Sequence, residues 1–473
     1  MTLDKKYLAF RGRMLIVGFG SIGQGVLPLL FRHVDIKPEQ IEIVTAEEKG
    51  IEEARKYGVT FTIDPLSRTN YRQIVSQRLK KGDFLLNLSV DVASVVLIEL
   101  CQEIGALYLD TVIEPWAGGY TDPNLSPSQR SNYAQREEAM ALKRKYPGGP
   151  TAVITHGANP GLVSHFVKQA LLNIAEAVGK PVATPKDKAG WSTLAADLGM
   201  KVVHIAERDT QVAATPKRPG EFVNTWSIDG FVSEGSQPAE LGWGSHEKHF
   251  PADGRRHDFG GDSAIYLMRP GASTRVRTWT PLEGPFHGFL ITHGESISIS
   301  DYYTVKDASG AVTFRPTVHY AYHPCDDAVL SVHELGGKNW IQQSEQRLIV
   351  DEITDGIDEL GVLLMGHGKG AYWYGSVLSI HEARRLVPYN NATSLQVCVA
   401  VLAGVIWAME NPDRWIVEPD EMDHDRILEI SVPYLGDMVG KFSDWTPLQD
   451  RERLFPEDVD RDDPWQFKNF RVV

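Results

Sequence analysis

The run Met14-Leu15-Ile16-Val17-Gly18-Phe19-Gly20-Ser21-Ile22-Gly23 carries the chemistry most directly legible in residue types and spacing. Its apolar half reads as a buried strand, and a helical pattern follows at once. In Gly18-x-Gly20-x-x-Gly23 the first glycine makes a tight turn, the second admits a pyrophosphate, and the third permits close helix–strand packing. Phe19, Ser21 and Ile22 complete the turn, and the N–H groups of the helix start suit a dinucleotide's phosphates. The second expected strand, Ile41 to Thr45, leads to Glu47 and Glu48, just over twenty residues beyond Gly23. Either could take the ribose 2′-hydroxyl and favour NAD over its phosphorylated form. Glu47 is the candidate and Glu48 the alternative, and both also suit the polar start of a helix.

A second set of residues consists of carboxylates close to aromatics and histidines: Asp91, Glu114 beside Trp116, Glu207, Glu234 after Trp226, and Glu295 after His293. Each has a plain structural alternative. Asp91 could cap the following helix, Glu207-Arg208-Asp209 could be a solvated turn, and Glu234 falls in a Ser/Gly-rich stretch read as a loop. Asp91, Glu114 and Thr111 follow expected strands and fall on the edge where a dinucleotide would lie. Asn159, in His156-Gly157-Ala158-Asn159-Pro160-Gly161, reads as a helix N-cap with Pro160 at the first helical position.

Metal chemistry is not expected, because there is no HExxH and no cysteine–histidine cluster of zinc spacing. His319 and His323 read as hydrogen-bonded loop histidines. No nucleophile elbow and no Walker loop is present. Hydride transfer remains, since it needs mainly a bound nicotinamide and an oriented substrate.

These residues require a scaffold, and the pattern supplies one. Strand-like runs at 14–17, 41–45, 61–63, 83–90, 106–109 and 151–155 alternate with helical segments, as in a Rossmann-type doubly wound parallel sheet. From about Gly179 the runs become strands joined by Gly/Pro/Ser-rich loops, several alternating with period two. The expected fold is therefore α/β, with a second α+β substrate domain containing a mixed or antiparallel sheet. The domain reading is 1–160 for cofactor binding, 161–385 for substrate and dimerisation, and 386–473 for a helix packing back on the first domain plus an aromatic-rich tail of ordered loops. The apolar run from Val397 to Met409 reads as a buried helix, too short for a membrane span.

The 473 residues carry a formal charge of −14, which argues against nucleic acid and suits a cationic substrate. Cys101, Cys325 and Cys398 make no disulfide framework, so a reducing cytoplasmic compartment is expected. A secretory leader is not expected, because Asp4-Lys5-Lys6 leads almost directly into the first core strand.

Taken together, Gly18-Phe19-Gly20-Ser21-Ile22-Gly23, His156 to Gly161, the stretch from Trp226 to Glu234 and His293-Gly294-Glu295-Ser296 resemble the bacterial homospermidine synthase family, within the saccharopine-dehydrogenase-like group. The resemblance runs over nearly the whole chain. It implies an NAD-dependent homodimer in which putrescine is oxidised to an imine, condenses with a second putrescine with loss of ammonia, and is reduced by the same NADH. Spermidine as donor would release diaminopropane. The resemblance implies that Asp91, Glu114, Glu207, Glu234 and Glu295 anchor the cationic substrate, and that Trp226 is a cation–π platform beside the reacting carbon. It further implies that Asn159 and His293 orient amine or cofactor, with Glu207, Glu234, Glu295 and His293 handling protons. No catalytic lysine is expected, Lys168 and Lys201 reading as surface residues. A saccharopine- or carboxynorspermidine-type dehydrogenase would instead need arginines to clamp substrate carboxylates, for which Arg208, Arg255, Arg256, Arg275 and Arg277 are available. A non-catalytic NAD-binding protein is the remaining alternative.

Overall fold

The computed structural model describes residues 4–473. Short apolar runs produce β1 (Met14–Val17), wholly buried, followed by α1 (Ser21–His33), β2 (Ile41–Thr45), β3 (Thr60–Ile63) and β4 (Phe84–Asn87). Next come α2 (Ser94–Ile104), β5 (Leu107–Asp110), α3 (Asn132–Lys145), β6 (Ala152–Val153) and α4 (Leu162–Ala177). The strands form a seven-stranded sheet whose last member comes from far along the chain, and all its pairings are parallel. Parallel strands covered on both faces must be apolar throughout, which is why Met14–Val17 and Phe84–Asn87 read as continuous runs and not as alternations.

The second half is built on β7 (Val202–Asp209), α5 (Ile228–Ser236), β8 (Pro238–Gly242), β9 (Gly254–Arg256) and β10 (Ala264–Pro270). It continues through β11 (Arg275–Thr280), β12 (Gly284–Phe289), α6 (Gly294–Tyr302), β13 (Thr317–His323), β14 (Ile357–Met365) and β15 (Ala371–Ser379). Helix α7 (Ala392–Glu410), β16 (Ile416–Val417), α8 (His424–Ser431), β17 (Asp437–Ser443) and β18 (Arg471–Val472) complete the chain. The large sheet has the order β9-β10-β8-β13-β7-β14-β15-β17, with β11, β12 and β18 branching from it. It is mixed: β7 and β13 are parallel, while β14 runs antiparallel to β7.

Helix α7 links the two sheets. Its N-terminus is capped by Asn391, whose side chain accepts from Ser394 N–H at 2.7 Å. It packs on α1, β5, β6 and β14, and β16 then extends the parallel sheet beside β6. By length and composition α7 could cross a membrane, but 89% of its apolar stretch is buried within the protein. A helix apolar on all sides and enclosed in this way is a core helix.

The tail departs from the loops expected for it. β17 adds to the edge of the large sheet through β15, and β18 pairs with β11. Trp445, Trp465, Phe467 and Phe470 are buried with Trp243 and Trp373 in one apolar cluster. Burying four large aromatics gives the aperiodic tail enough apolar contact to stay ordered.

Candidate active site

The glycine turn meets each geometric demand of a dinucleotide cradle. Gly18 has φ +83°, and a Cβ there would lie 2.7 Å from the Cα of Ser89. Gly23 is packed so closely that a Cβ would lie 2.9 Å from the Phe19 ring. At Gly20 a Cβ would meet nothing within 4 Å, so the space beside the start of α1 is open where a pyrophosphate would approach. Gly20 is the N-cap of α1, with no side chain capping it. Glu47 and Glu48 lie exposed just beyond β2. Asp91 has φ 65° in the loop between β4 and α2, and Thr111 follows β5. These residues fit a dinucleotide, and one with a free ribose 2′-hydroxyl.

Facing that edge is a connected group of acids and aromatics. Asn159 donates its amide N–H to Glu207 Oε2 at 2.9 Å, and the Tyr320 hydroxyl donates to the same oxygen. The His293 ring lies 4.4 Å from the Tyr320 ring. Its Nε2 meets Glu234 at 3.0 Å and its Nδ1 meets Glu295 at 3.1 Å. Tyr320 stacks on Tyr322, whose hydroxyl accepts from Trp226 Nε1 at 3.0 Å. The structure thus brings Trp226, Glu234, Glu207, Asn159, His293 and Glu295 into one network.

Register explains the gathering. In the parallel pair β7–β13, Tyr322 lies beside Glu207, and alternation places Tyr320 on the same face. His293 is the N-cap of α6 and Glu295 sits in that helix's first turn, while Glu234 and Trp226 belong to α5 and the segment just before it.

The electrostatics separate the acids from one another. Burial pushes the Glu207 carboxyl up to about 8, against the hydrogen bond from Tyr320. Burial raises Glu114 to about 8 as well, assisted by the charges of Glu234 and Asp91. Asp91, at the exposed rim, is raised by partial desolvation and by Asp229. His293 behaves in the opposite way. Burial disfavours its charge, but the carboxylates of Glu295 and Glu234 prevail and raise it to about 10. At neutral pH the centre therefore holds an imidazolium between two carboxylates, with protonatable carboxyls at Glu207 and Glu114.

Several expectations need correction. Asn159 is not a helix cap: α4 begins at Leu162 with Gly161 as its N-cap, which frees the Asn159 side chain for Glu207. Glu234 lies on a helix and not in a loop, and Glu207-Arg208-Asp209 ends a buried strand instead of making a solvated turn. His319 and His323 are in β13, not in a loop. Lys168 is only 3% exposed and so is not a surface residue.

Three tyrosines in the site went unread in the sequence. Tyr320 and Tyr322 sit in a Tyr/His-rich stretch where the i, i+2 pairing of aromatics was the available signal of a strand face. Tyr120 lies in the turn-rich excursion between Gly118 and Ser131, where no periodicity marks it. Its buried hydroxyl donates to the Ile113 carbonyl at 3.3 Å and is raised well above the usual phenol range by burial and by Glu114.

The arginines that might clamp a substrate carboxylate are engaged elsewhere. Arg208 pairs with Asp326 and Glu283, and Arg277 with Glu457 and the Arg471 carbonyl. Arg255 donates to nearby carbonyls, Arg256 lies over Phe250, and Arg275 meets His333.

The chain resembles known proteins over its whole length. Residues 14–153 match the family model described as the saccharopine dehydrogenase NADP binding domain, and residues 157–443 match the saccharopine dehydrogenase C-terminal domain. It is 54% identical over 475 residues to homospermidine synthase from Blastochloris viridis, covering 100% of both chains. It is 50% identical to homospermidine synthase from Mesorhizobium japonicum, over 98% of this chain and 97% of that one. The crystal structure of the homospermidine synthase from Legionella pneumophila in complex with NAD superposes with a TM-score of 0.92 at 52% identity, covering 99% of each chain. Saccharopine dehydrogenase from Saccharomyces cerevisiae shares the fold, with a TM-score of 0.53 at 11% identity, over 91% of this chain and 100% of that one.

Proposed function

The chain belongs to the homospermidine synthases of the saccharopine dehydrogenase family, and we propose that it makes homospermidine by NAD-dependent, redox-neutral aminobutyl transfer. Putrescine loses a hydride from the carbon bearing one amine and becomes an imine. A second putrescine adds to it, ammonia leaves, and the new Schiff base takes the hydride back. With spermidine as donor, 1,3-diaminopropane leaves instead. NAD bound at Gly18 to Gly23, with Glu47 or Glu48 on its ribose and Asp91, Thr111 and Asn159 nearby, supplies the hydride acceptor and, once reduced, its donor. A carboxylate beyond β2 would repel a 2′-phosphate, so NAD is preferred to NADP.

The observation that carries this reading is the network of Glu234, His293, Glu295, Glu207 and Asn159 linked through Tyr320, Tyr322 and Trp226. A diamine is doubly cationic at neutral pH, and that network offers it carboxylates and aromatic faces side by side. Asp91 and Glu114 anchor the entering ammonium. Both hydrogen bonds to Glu207 fall on Oε2, which leaves Oε1 to hold an amine. An ammonium beside Glu207 or Glu114 favours ionisation of that carboxyl, which can then remove a proton from an amine that must become a hydride donor or a nucleophile. His293, as an imidazolium, holds Glu234 and Glu295 in place and can return a proton to departing ammonia. The Trp226 face stabilises iminium charge by roughly 0.5–2 kcal/mol without moving a proton.

Among the described residues, no hydrogen bond or ion pair joins Arg208, Arg255, Arg256, Arg275 or Arg277 to the network around Glu207, which disfavours the saccharopine and carboxynorspermidine readings. The protein is read as a cytoplasmic homodimer acting on small cationic substrates, without nucleic acid or membrane partners.

Incubation with putrescine and substoichiometric NAD⁺, followed by product mass, tests the assignment. Homospermidine and ammonia should form with no net NADH. Steady accumulation of NADH without a polyamine product would overturn it and point to an ordinary amine dehydrogenase.

A further inference from the structure

We infer that Glu240 and His257 form a positioning pair for this site, fastening the 118–131 segment and the Thr292–His293 connection ahead of α6 to each other around one shared proton. The inference rests on the functional reading above. Glu240 lies on β8 with its side chain enclosed. Its Oε2 accepts from the backbone N–H of Asn132 at 2.9 Å and from the Thr292 hydroxyl at 2.8 Å. The Asn132 side-chain amide donates to that hydroxyl at 3.3 Å. Thr292 immediately precedes His293. Asn132 immediately follows the segment that carries Tyr120, whose hydroxyl lies close to Glu114. A single carboxylate oxygen thus sets the spacing of two walls of the site.

The other oxygen faces His257. Oε1 lies 3.5 Å from His257 Nε2, with the side chains 0% and 1% exposed, and among the described residues neither atom has a hydrogen-bond partner. The imidazole is held on its other sides, by Ser128 at 2.8 Å from Nδ1 and by the Tyr133 ring stacked at 3.8 Å. If Nδ1–H donates to Ser128, Nε2 presents a lone pair to a carboxylate oxygen that presents another. Two buried acceptors facing each other without water are unfavourable, and one proton between them satisfies both. Burial drives Glu240 up to about 7 and His257 down to about 4, which places that proton on Glu240.

The groups facing the pair do not replace that proton. They are the phenols of Tyr120, Tyr133 and Tyr266, the carboxylate of Asp258 beside His257, and Glu114 and Glu234 beyond Tyr120, with Arg255 beside Tyr266. Loss of the proton at alkaline pH leaves an ionised carboxylate on this buried face, and the imidazole must move its own proton from Nδ1 to Nε2 to meet it. Ser128 must then turn from acceptor to donor, and the 118–131 segment loses its set distance from Thr292.

Two variants and two readouts test the inference. Glu240→Gln retains an acceptor for Asn132 and Thr292 and offers His257 a permanent N–H. It should turn over within about threefold of wild type at pH 7 and keep its kcat/KM for putrescine at alkaline pH where wild type declines. Glu240→Ala should raise the KM for putrescine about tenfold while the affinity for NAD stays unchanged. A Glu240→Gln pH profile that superimposes on wild type, or a Glu240→Ala variant with unchanged KM, would overturn the pair's role. Parallel loss of NAD affinity and melting temperature in Glu240→Ala would reduce it to general support of the fold. No homospermidine from the wild type would overturn the functional reading as well, which separates the two failures.

Discussion

Trp226 donates its indole N–H to the hydroxyl of Tyr322 at 3.0 Å, and Tyr322 stacks on Tyr320, whose own hydroxyl donates to Glu207. One aromatic row therefore ties the Trp226 indole to the Glu207 carboxyl. The indole cannot tilt without breaking a buried hydrogen bond, so its face is presented at a set angle before substrate arrives. Fixing groups in advance in this way lowers the reorganisation needed in the transition state.

Trp226→Phe keeps an aromatic face but loses the link to Tyr322, and should retain partial activity. Trp226→Ala removes the face, and loss of a desolvated cation–π contact of up to ~2 kcal/mol predicts a fall in kcat/KM of up to about thirtyfold. NAD affinity, measured by nicotinamide fluorescence, should be alike in both. Tyr322→Phe, which deletes one hydrogen bond worth about 1 kcal/mol, should cost a few-fold. Equal activity of Trp226→Phe and Trp226→Ala would remove the cation–π role.

What could be read in the sequence was whatever local spacing specifies. Gly18, Gly20 and Gly23 take their roles from a turn closed within six residues, and β1, β2 and β4 announce themselves as apolar runs. Glu234 and Glu207 were legible as candidates but not in their setting. Glu234 sits among Gly and Ser, yet Ser227 caps a helix there by accepting from Gly230 N–H. Tyr120, Tyr320 and Tyr322 join the site only through the pairing of β7 with β13 and the packing of the 118–131 excursion, contacts between residues far apart in the chain that no local pattern encodes. Lys168 was misplaced for the same reason: a helix face is buried by what packs on it, and here that partner is the distant 420s segment.

His293 should remain an imidazolium across neutral pH. Its folded value, about 10, lies above the unfolded value near 6.5, so its stabilising effect is complete below about 6.5 and is lost as pH rises through 10. NMR of the His293 ring should show no titration between pH 6 and 8. Glu234→Gln, which removes one of the two carboxylates holding the charge, should bring that titration down towards neutrality and raise the KM for putrescine. A His293 signal titrating near 6.5 in the wild type would overturn the clamp.

Glu114 should weaken the fold while serving the reaction. Its folded value, about 8, lies above the unfolded 4.5, so between these pH values the native state holds a proton that the unfolded chain has released. Stability contributed at this site accordingly falls as pH rises from 4.5 to 8. Glu114→Gln abolishes the dependence. It should melt higher than wild type above pH 8, by an amount on the order of 4–5 kcal/mol in stability, with the gap closing towards pH 5. The same variant should bind putrescine more weakly. Melting curves over pH 5 to 9 check the first claim and KM the second.

Lys168 is the lysine that would most plausibly be mistaken for a catalytic one, and its surroundings argue otherwise. Burial pushes its ammonium down to about 8, and it donates to the Met422 carbonyl at 2.8 Å while lying over the rings of Trp191 and Tyr302. It lines a cleft of about 560 Å³ whose walls include none of Glu207, Glu234, His293 or Glu295. Homospermidine formation needs no lysine Schiff base, because the amine substrate itself becomes the imine. Lys168→Met should therefore retain most of its activity, and borohydride added during turnover should trap no lysine–substrate adduct. The sign of its effect on stability also follows. The folded value lies below the unfolded 10.5, so the unfolded chain binds more protons between pH 8 and 10.5, and the wild type gains stability as pH rises through that window. Removing the charge should favour the variant by roughly 3 kcal/mol below pH 8, less the lost bond to Met422, and the advantage should vanish by pH 10.5. A variant that folds and binds NAD but makes no product, or an adduct on Lys168, would put this lysine into the chemistry and displace the carboxyls from that part of it.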